Sequence, residues 1–192
     1  SGEWSVRLNT SALTPYEPTL TQSAKVLTSG SDEPTSKKEI ATTLIEEIET
    51  DSETVYLLGP GSTVKAVADL LGVGKTLLGI DAVLSGQRIA RDLNEHQNLS
   101  LLDRHPHVRV VLSPIGAQGF VLGRGNLQLS PEAIRRIGLA NIIVIATPGK
   151  LARTPVLRFD TGEVELDTAL DDRRYWPVII GYRLRRLVKV SA

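Results

Sequence analysis

The sequence lacks cysteine and methionine, and aromatic residues make up only 4% of its 192 positions. Without cysteine the chain has no disulfide framework, no thiolate metal site and no thiol nucleophile. No apolar run approaches the ~20 residues of a membrane-spanning helix, and no signal peptide is visible. We therefore expect a cytoplasmic protein that has no membrane partner.

The chain also lacks an excess of either charge, because 22 lysines and arginines balance 22 aspartates and glutamates. This balance argues against a nucleic-acid partner and leaves a local basic site open. At 192 residues the chain is long enough for one domain with a buried core. It begins Ser-Gly without an initiator methionine, and we interpret it as a piece of a longer protein.

The polar residues 1–36, rich in threonine, serine and proline, predict an extended lead-in or linker. A capping box at 36–39 predicts a helix start, and with it a domain over 37–192. Beyond it, apolar strands alternate with helical patterns, which predicts an α/β fold with a largely parallel sheet flanked by helices. Strands are predicted at 54–58, 76–80, 108–112 and 141–146, and helices at 62–71, 93–102 and 130–137. A C-terminal strand pair is predicted at 178–180 and 183–190, with 183–190 as an edge strand.

The segment 113–130 is unusually rich in glycine, with four glycines interleaved with an arginine and three amides. Glycine serves where the backbone takes positive φ or approaches a ligand closely, and an arginine among amides suits an anionic ligand. We interpret the segment as a long phosphate-binding loop; an ordinary structural loop is the alternative. Its candidate residues are Gly116, Gln118, Gly119, Gly123, Arg124, Gly125 and Asn126.

A second candidate is the turn Gly-Pro-Gly-Ser-Thr at 59–63, which leads from a strand directly into a helix. It places backbone N–H groups and two hydroxyls at a helix N-terminus, where anions bind readily. Open α/β sheets bind ligands at the carboxyl ends of their strands. The turn therefore predicts a phosphate site at Gly59, Gly61, Ser62 and Thr63, with a plain capped turn as the alternative.

Acidic clusters lie at the ends of apolar runs and are candidates for holding ribose hydroxyls or a magnesium ion. They comprise Asp81, Asp92, Asn94, Glu95 and Asp160. Cap and turn roles are the alternative for Asp92 and Asp160. Lys75 follows a glycine, but no P-loop pattern precedes it, so we expect a solvated loop lysine.

Six segments in order carry a family resemblance: 59–63, 77–81, 92–95, 114–120, 123–131 and 160–162. Together they resemble the C-terminal region of the ATP-NAD kinase-like family, in the archaeal and bacterial branch that includes proteins associated with acetoin catabolism. The chain departs from that pattern at Ala117, Leu127 and Glu163, where glycine, glutamine and aspartate are usual.

The resemblance implies a kinase that phosphorylates NAD to NADP with ATP and Mg²⁺. In that family an N-terminal domain carries a Gly-Gly-Asp-Gly-Thr motif that supplies the catalytic aspartate. This motif does not occur in residues 1–192, so we expect a nucleotide-binding C-terminal domain that needs a further kinase domain. Two alternatives stay open. The first is a nucleotide- or sugar-phosphate-binding domain without kinase activity, since 59–63 also resembles the phosphate loop of ribose-5-phosphate isomerase-like proteins. The second is a structural or homo-oligomer-forming domain.

Overall fold

The computed structural model of the chain describes residues 33–123 and 125–191. The helices are α1 (Glu33–Thr50), α2 (Ser62–Leu70), α3 (Glu95–Arg104), α4 (Pro131–Ile137), α5 (Pro148–Arg153) and α6 (Val164–Asp171). The strands are β1 (Val55–Leu58), β2 (Asp81–Leu84), β3 (Gln87–Ala90), β4 (Val108–Leu112), β5 (Phe120–Leu122), β6 (Ile142–Ile145), β7 (Val156–Phe159), β8 (Tyr175–Gly181) and β9 (Leu184–Ser191).

All nine strands belong to one sheet, in the order β3-β2-β1-β4-β6-β8-β9-β7-β5. Parallel pairing joins β1 to β4, β4 to β6, β6 to β8, β9 to β7 and β7 to β5. The β2–β3 hairpin on β1 and the β8–β9 hairpin supply the antiparallel pairs. The mostly parallel α/β sheet flanked by helices and the C-terminal strand pair are therefore confirmed. Because β8 and β9 run in opposite directions, the sheet contains two parallel halves of opposite direction.

The sheet curls back on itself. Ile115 bridges to Phe120 at the start of β5, only three residues after β4 ends at Leu112. Five strand spacings separate β4 from β5 in the sheet order, which is about 24 Å in a flat sheet. Three residues reach at most about 11 Å, so the β5 end of the sheet must return toward β4.

Both faces of the central strands are buried, which explains why these strands are apolar throughout. On one face, Val55, Leu57, Val110 and Val144 join a core that also contains residues of α3, α4 and α6. On the other face, Tyr56 and Leu58 pack beneath α1 and α2. No helix in the parts of the chain that the structure describes combines the length and apolar character needed to cross a membrane.

The strand predicted at 76–80 is wrong. These residues form a loop in which Leu77 and Leu78 are 51% and 75% exposed, and the strand begins at Asp81, running antiparallel to β1. The two leucines gave the segment an apolar pattern, but it has no sheet partner. The polar strand β3 carries too little apolar signal to be recognised from sequence.

Two further boundaries differ from expectation. Helix α1 begins at Glu33, three residues before the predicted cap at Ser36. Pro34 does not prevent this, because proline is readily accommodated in a first helical turn. The rest of the predicted lead-in, residues 1–32, lies outside the described residues. Strand β9 is not an edge strand, because β7 pairs along its far side. Arg183, just before β9, and Arg185 within it reach α1, where Arg183 pairs with Glu46 and Arg185 with Glu47.

Candidate functional site

The 59–63 turn lies against the carboxyl end of β4. The Gly59 N–H donates to the Val111 carbonyl at 2.9 Å, and a Cβ on Gly59 would lie 2.6 Å from the Leu112 side chain. Glycine allows this close approach without displacement of the Leu112 side chain, and the approach brings the 59–63 turn beside Ser113. The structure thus places the 59–63 turn next to the residue at which the glycine-rich segment begins.

Helix α2 begins in this turn without a side-chain cap. Gly61 occupies the N-cap with φ 110° and has no side chain that could accept from the first N–H groups of the helix. The Thr63 side chain is fully buried, and its hydroxyl has no hydrogen-bond partner among the described residues. Buried hydroxyls are normally satisfied, so this helix start retains unused hydrogen-bonding capacity.

Two lysines that sequence reasoning missed add positive charge here. Lys150 Nζ donates to Ser113 Oγ at 3.0 Å and to the Pro114 carbonyl at 3.1 Å, and Lys37 Nζ lies 3.2 Å from Ser62 Oγ. Burial lowers the pKa of Lys150, and the nearby charge of Lys37 lowers this pKa further. A bound anion would relieve this repulsion. The signal that could have identified Lys150 is its position just after the most apolar strand, in Thr147-Pro148-Gly149-Lys150.

The glycine-rich segment is not one continuous loop, because β5 divides it. Gly119 precedes β5 with φ +76°, and a Cβ there would lie 2.6 Å from the Val156 carbonyl at the start of β7. Gly123 follows β5 with φ +100°, and a Cβ there would overlap the Asp160 carbonyl just beyond β7. These two glycines thus have the packing role that we did not expect. Gly116 and Gly125 also take positive φ, but neither approaches backbone this closely.

Asn126 organises the second part of this segment. Its Oδ1 accepts from the Gly123 N–H at 3.0 Å, and its Nδ2 donates to the Val121 carbonyl at 2.7 Å. Gln128 follows it, and the Gln128 carbonyl accepts from Asn98 of α3. Gln118 is exposed in the first part. Arg124 lies outside the described residues, so its expected contact with phosphate stays a prediction.

Asp81 is buried at the centre of a hydrogen-bond network beside the 59–63 turn. Its carboxylate accepts from the Thr76 N–H at 2.9 Å, the Thr76 hydroxyl at 2.8 Å and the Asp92 N–H at 2.8 Å. Burial alone would raise its pKa, but these hydrogen bonds hold the pKa below the usual 3.8. These hydrogen bonds fix the loop that follows Thr76. This loop contacts the 59–63 turn, because the Leu77 carbonyl accepts from the Gly61 N–H at 2.9 Å.

Lys75 is not the solvated lysine that we expected, because it is only 9% exposed. Its ammonium donates to the carbonyls of Thr76 and Gly79, at 2.7 and 2.9 Å. Burial lowers its pKa to about 8, although the charges of Asp81 and Asp92 oppose this shift. Lys75 therefore fixes the same loop as Asp81.

The other candidates for holding ribose hydroxyls or a metal ion lie at helix starts and turns. Asn94 caps α3, accepting from the Gln97 N–H at 2.9 Å, while Glu95 opens that helix and is exposed. Asp92 is exposed with φ 50°. Asp160 follows β7 and also has interactions of its own.

The described residues do not form a magnesium site built from protein side chains alone, whereas Mg²⁺ is usually held by one or two carboxylates together with substrate phosphates. No group of three or more histidine, aspartate or glutamate side chains among them is placed to hold a metal ion. Both oxygens of Asp81, the most buried candidate, already accept hydrogen bonds from Thr76 and Asp92. We therefore derive no step from a metal held by these side chains.

The geometry so far defines an α/β domain with a basic, incompletely capped helix start at the carboxyl edge of its sheet. Residues 51–190 match the model of the ATP-NAD kinase C-terminal domain family, and the chain belongs to that family. No curated protein and no solved structure matches the chain. The family match confirms the resemblance of the ordered motifs, without testing the acetoin-associated branch.

Proposed function

We propose that this chain is the nucleotide-binding C-terminal part of an ATP-dependent NAD kinase, and that the 59–63 turn holds nucleotide phosphate. The observation that carries the proposal is the convergence of the uncapped start of α2, the unpartnered Thr63 hydroxyl and two lysines. The family membership supports a nucleotide as the ligand. The acetoin-associated branch and a cytoplasmic location remain parts of this proposal that rest on sequence.

Each group has a distinct proposed role. The N–H groups of Ser62 and Thr63 and their hydroxyls donate to phosphate oxygens, while Lys150 neutralises phosphate charge from the side of Ser113. Lys37 donates a hydrogen bond to Ser62 Oγ. An ion pair with Glu33, at 3.2 Å, holds the Lys37 ammonium near the turn. Phosphoryl transfer depends mainly on positioning and electrostatics, so these groups position a substrate. The catalytic base is assigned to a further domain, and the contacts of Arg124, Gln118, Asn94 and Glu95 with nucleotide remain predictions.

Replacing Lys150 by alanine should weaken ADP binding at least tenfold. The expectation follows from the ~1.5–3 kcal/mol that a hydrogen bond to a charged group contributes. Calorimetric titration measures the affinity, and a melting curve checks the fold. Lys65→Ala is the matched control, since it removes the same charge from α2 but Lys65 is paired with Asp69 at 2.6 Å. Unchanged ADP affinity in a folded Lys150→Ala protein would contradict the phosphate site.

Residues 1–192 alone should form no NADP from NAD, ATP and magnesium, because the Gly-Gly-Asp-Gly-Thr motif expected to carry the catalytic aspartate is absent from them. The measurement is enzymatic detection of NADP against a heat-killed control. Addition of an N-terminal domain from a family member should restore turnover. NADP formation by the chain alone would show that its own residues complete an active site.

A further inference from the structure

A cavity of about 420 Å³ beside the β5 edge of the sheet is a second candidate site for binding an anion. It is lined by Gln118 and Phe120 of the glycine-rich segment, Arg153 at the end of α5, and Pro155, Val156 and Arg158 at the start of β7. Its volume falls within the roughly 300–1,000 Å³ of small-molecule sites. Such sites combine apolar walls with a few polar groups, as this one does.

The two arginines differ from the five arginines that the structure shows in ion pairs. Arg109, Arg135, Arg136, Arg183 and Arg185 each form an ion pair with a carboxylate. Within 33–123 and 125–191, no carboxylate comes within ion-pair distance of Arg153 or Arg158. Two guanidinium groups therefore face one cavity without a counter-charge from these parts of the chain.

The surroundings add to this positive potential. Arg153 lies within electrostatic range of Lys150, whose pKa its charge lowers, so the cavity and the 59–63 turn share a basic region around α5. Guanidinium groups bind phosphate through paired N–H donors. The apolar wall of Phe120, Pro155 and Val156 can accommodate a flat group such as a nucleobase.

We propose that this cavity binds a nucleoside monophosphate group, with the phosphate held by Arg153 and Arg158 and the base against Phe120 and Pro155. The proposal does not require the 59–63 turn to bind phosphate. Where both sites bind, the chain holds two nucleotides within the basic region around α5. Transfer of a phosphoryl group between two nucleotides needs such a pair of sites.

The test is titration of the ¹⁵N-labelled chain with AMP and, separately, with inorganic phosphate, followed by amide NMR. AMP should shift the amides of Gln118, Phe120 and Thr154, and should bind more tightly than inorganic phosphate. The double variant Arg153→Ala/Arg158→Ala should lose at least tenfold in AMP affinity at these amides. Both side chains are exposed, so the variant should keep the spectrum of a folded protein.

The controls separate this cavity from the 59–63 turn. Arg104→Ala removes an exposed arginine whose hydrogen bond lies within its own helix, and should leave all AMP shifts unchanged. Lys65→Ala, which removes a lysine of α2 paired with Asp69, should also leave the shifts at Gln118 and Phe120 in place. Failure of those amides to shift, equal affinity for AMP and inorganic phosphate, or full binding by the double variant would overturn the inference. Shifts at Gln118 with none at Ser62 or Thr63 would support it while contradicting the proposed phosphate turn.

Discussion

Replacing Gly123 by alanine should destabilise the protein by about 2–6 kcal/mol. Gly123 has φ +100°, a conformation that costs a side-chain-bearing residue about 1–3 kcal/mol. The new methyl group would also overlap the Asp160 carbonyl, and forced repacking typically costs about 1–3 kcal/mol more. Urea unfolding, with the slope of the transition checked against the wild type, measures the loss.

Gly116→Ala is the matched control for this substitution. Gly116 also takes positive φ, at +66°, but a Cβ there has no atom within 4 Å. Its substitution should therefore cost only about 1–2 kcal/mol, the conformational part alone. Equal losses at Gly116 and Gly123 would contradict the packing role of Gly123 against Asp160.

Removal of the Asp81 carboxylate should have a comparable effect. Asp81→Ala leaves two N–H groups and the Thr76 hydroxyl without their acceptor, and takes a negative charge from beside buried Lys75. Losing one partner of a buried polar or ionic cluster costs about 3–5 kcal/mol. Asp81→Asn should cost less, about 1–3 kcal/mol, because one oxygen remains while an amide NH₂ replaces the acceptor of the Thr76 N–H.

Chemical denaturation near neutral pH measures both Asp81 variants, with exposed Asp69→Ala as control, which should change stability by less than about 1 kcal/mol. The pH dependence provides a second reading. The pKa of Asp81 in the folded protein lies below 3.8, its ordinary value. The carboxylate therefore contributes its full stabilisation at pH values above 3.8, and this contribution is lost as the pH falls through the folded-state pKa. A wild-type-like stability of Asp81→Ala at neutral pH would show that the network around Asp81 is dispensable.

The sequence predicted the sheet where strands were apolar on both faces. Strands β1, β4 and β6 bury residues on both sides, and α4 carries a serine cap, a proline and a closing glycine, so local signals agreed with the fold. The loop at 76–80 shows the limit of this reasoning. Its exposed leucines resemble a strand, and only the position of Asp81 opposite Leu58 reveals that the strand starts later.

The candidate site was predictable only in part for a similar reason. A strand followed by Gly-Pro-Gly-Ser-Thr predicts an anion-binding turn from local sequence, whereas Lys37 and Lys150 come from distant parts of the sequence. Their contacts with Ser62 and Ser113 depend on how α1 and α5 pack. Likewise, Gly119 and Gly123 resemble ligand-binding glycines until β7 is found beside them.

The strand order also constrains the sequence of events during synthesis on the ribosome. Among the described strands, only β7 neighbours β5 in the sheet, and β7 is linked through β9 to β8. The glycine-rich segment therefore emerges from the ribosome well before β9, the strand that connects β7 and β5 to the rest of the sheet. A nascent chain still missing β9 exposes the edges of β7 and β8, and such unpaired edges are prone to aggregation. The nucleotide binding that we propose beside β5 therefore requires β9, which joins β7 and β5 to the rest of the sheet.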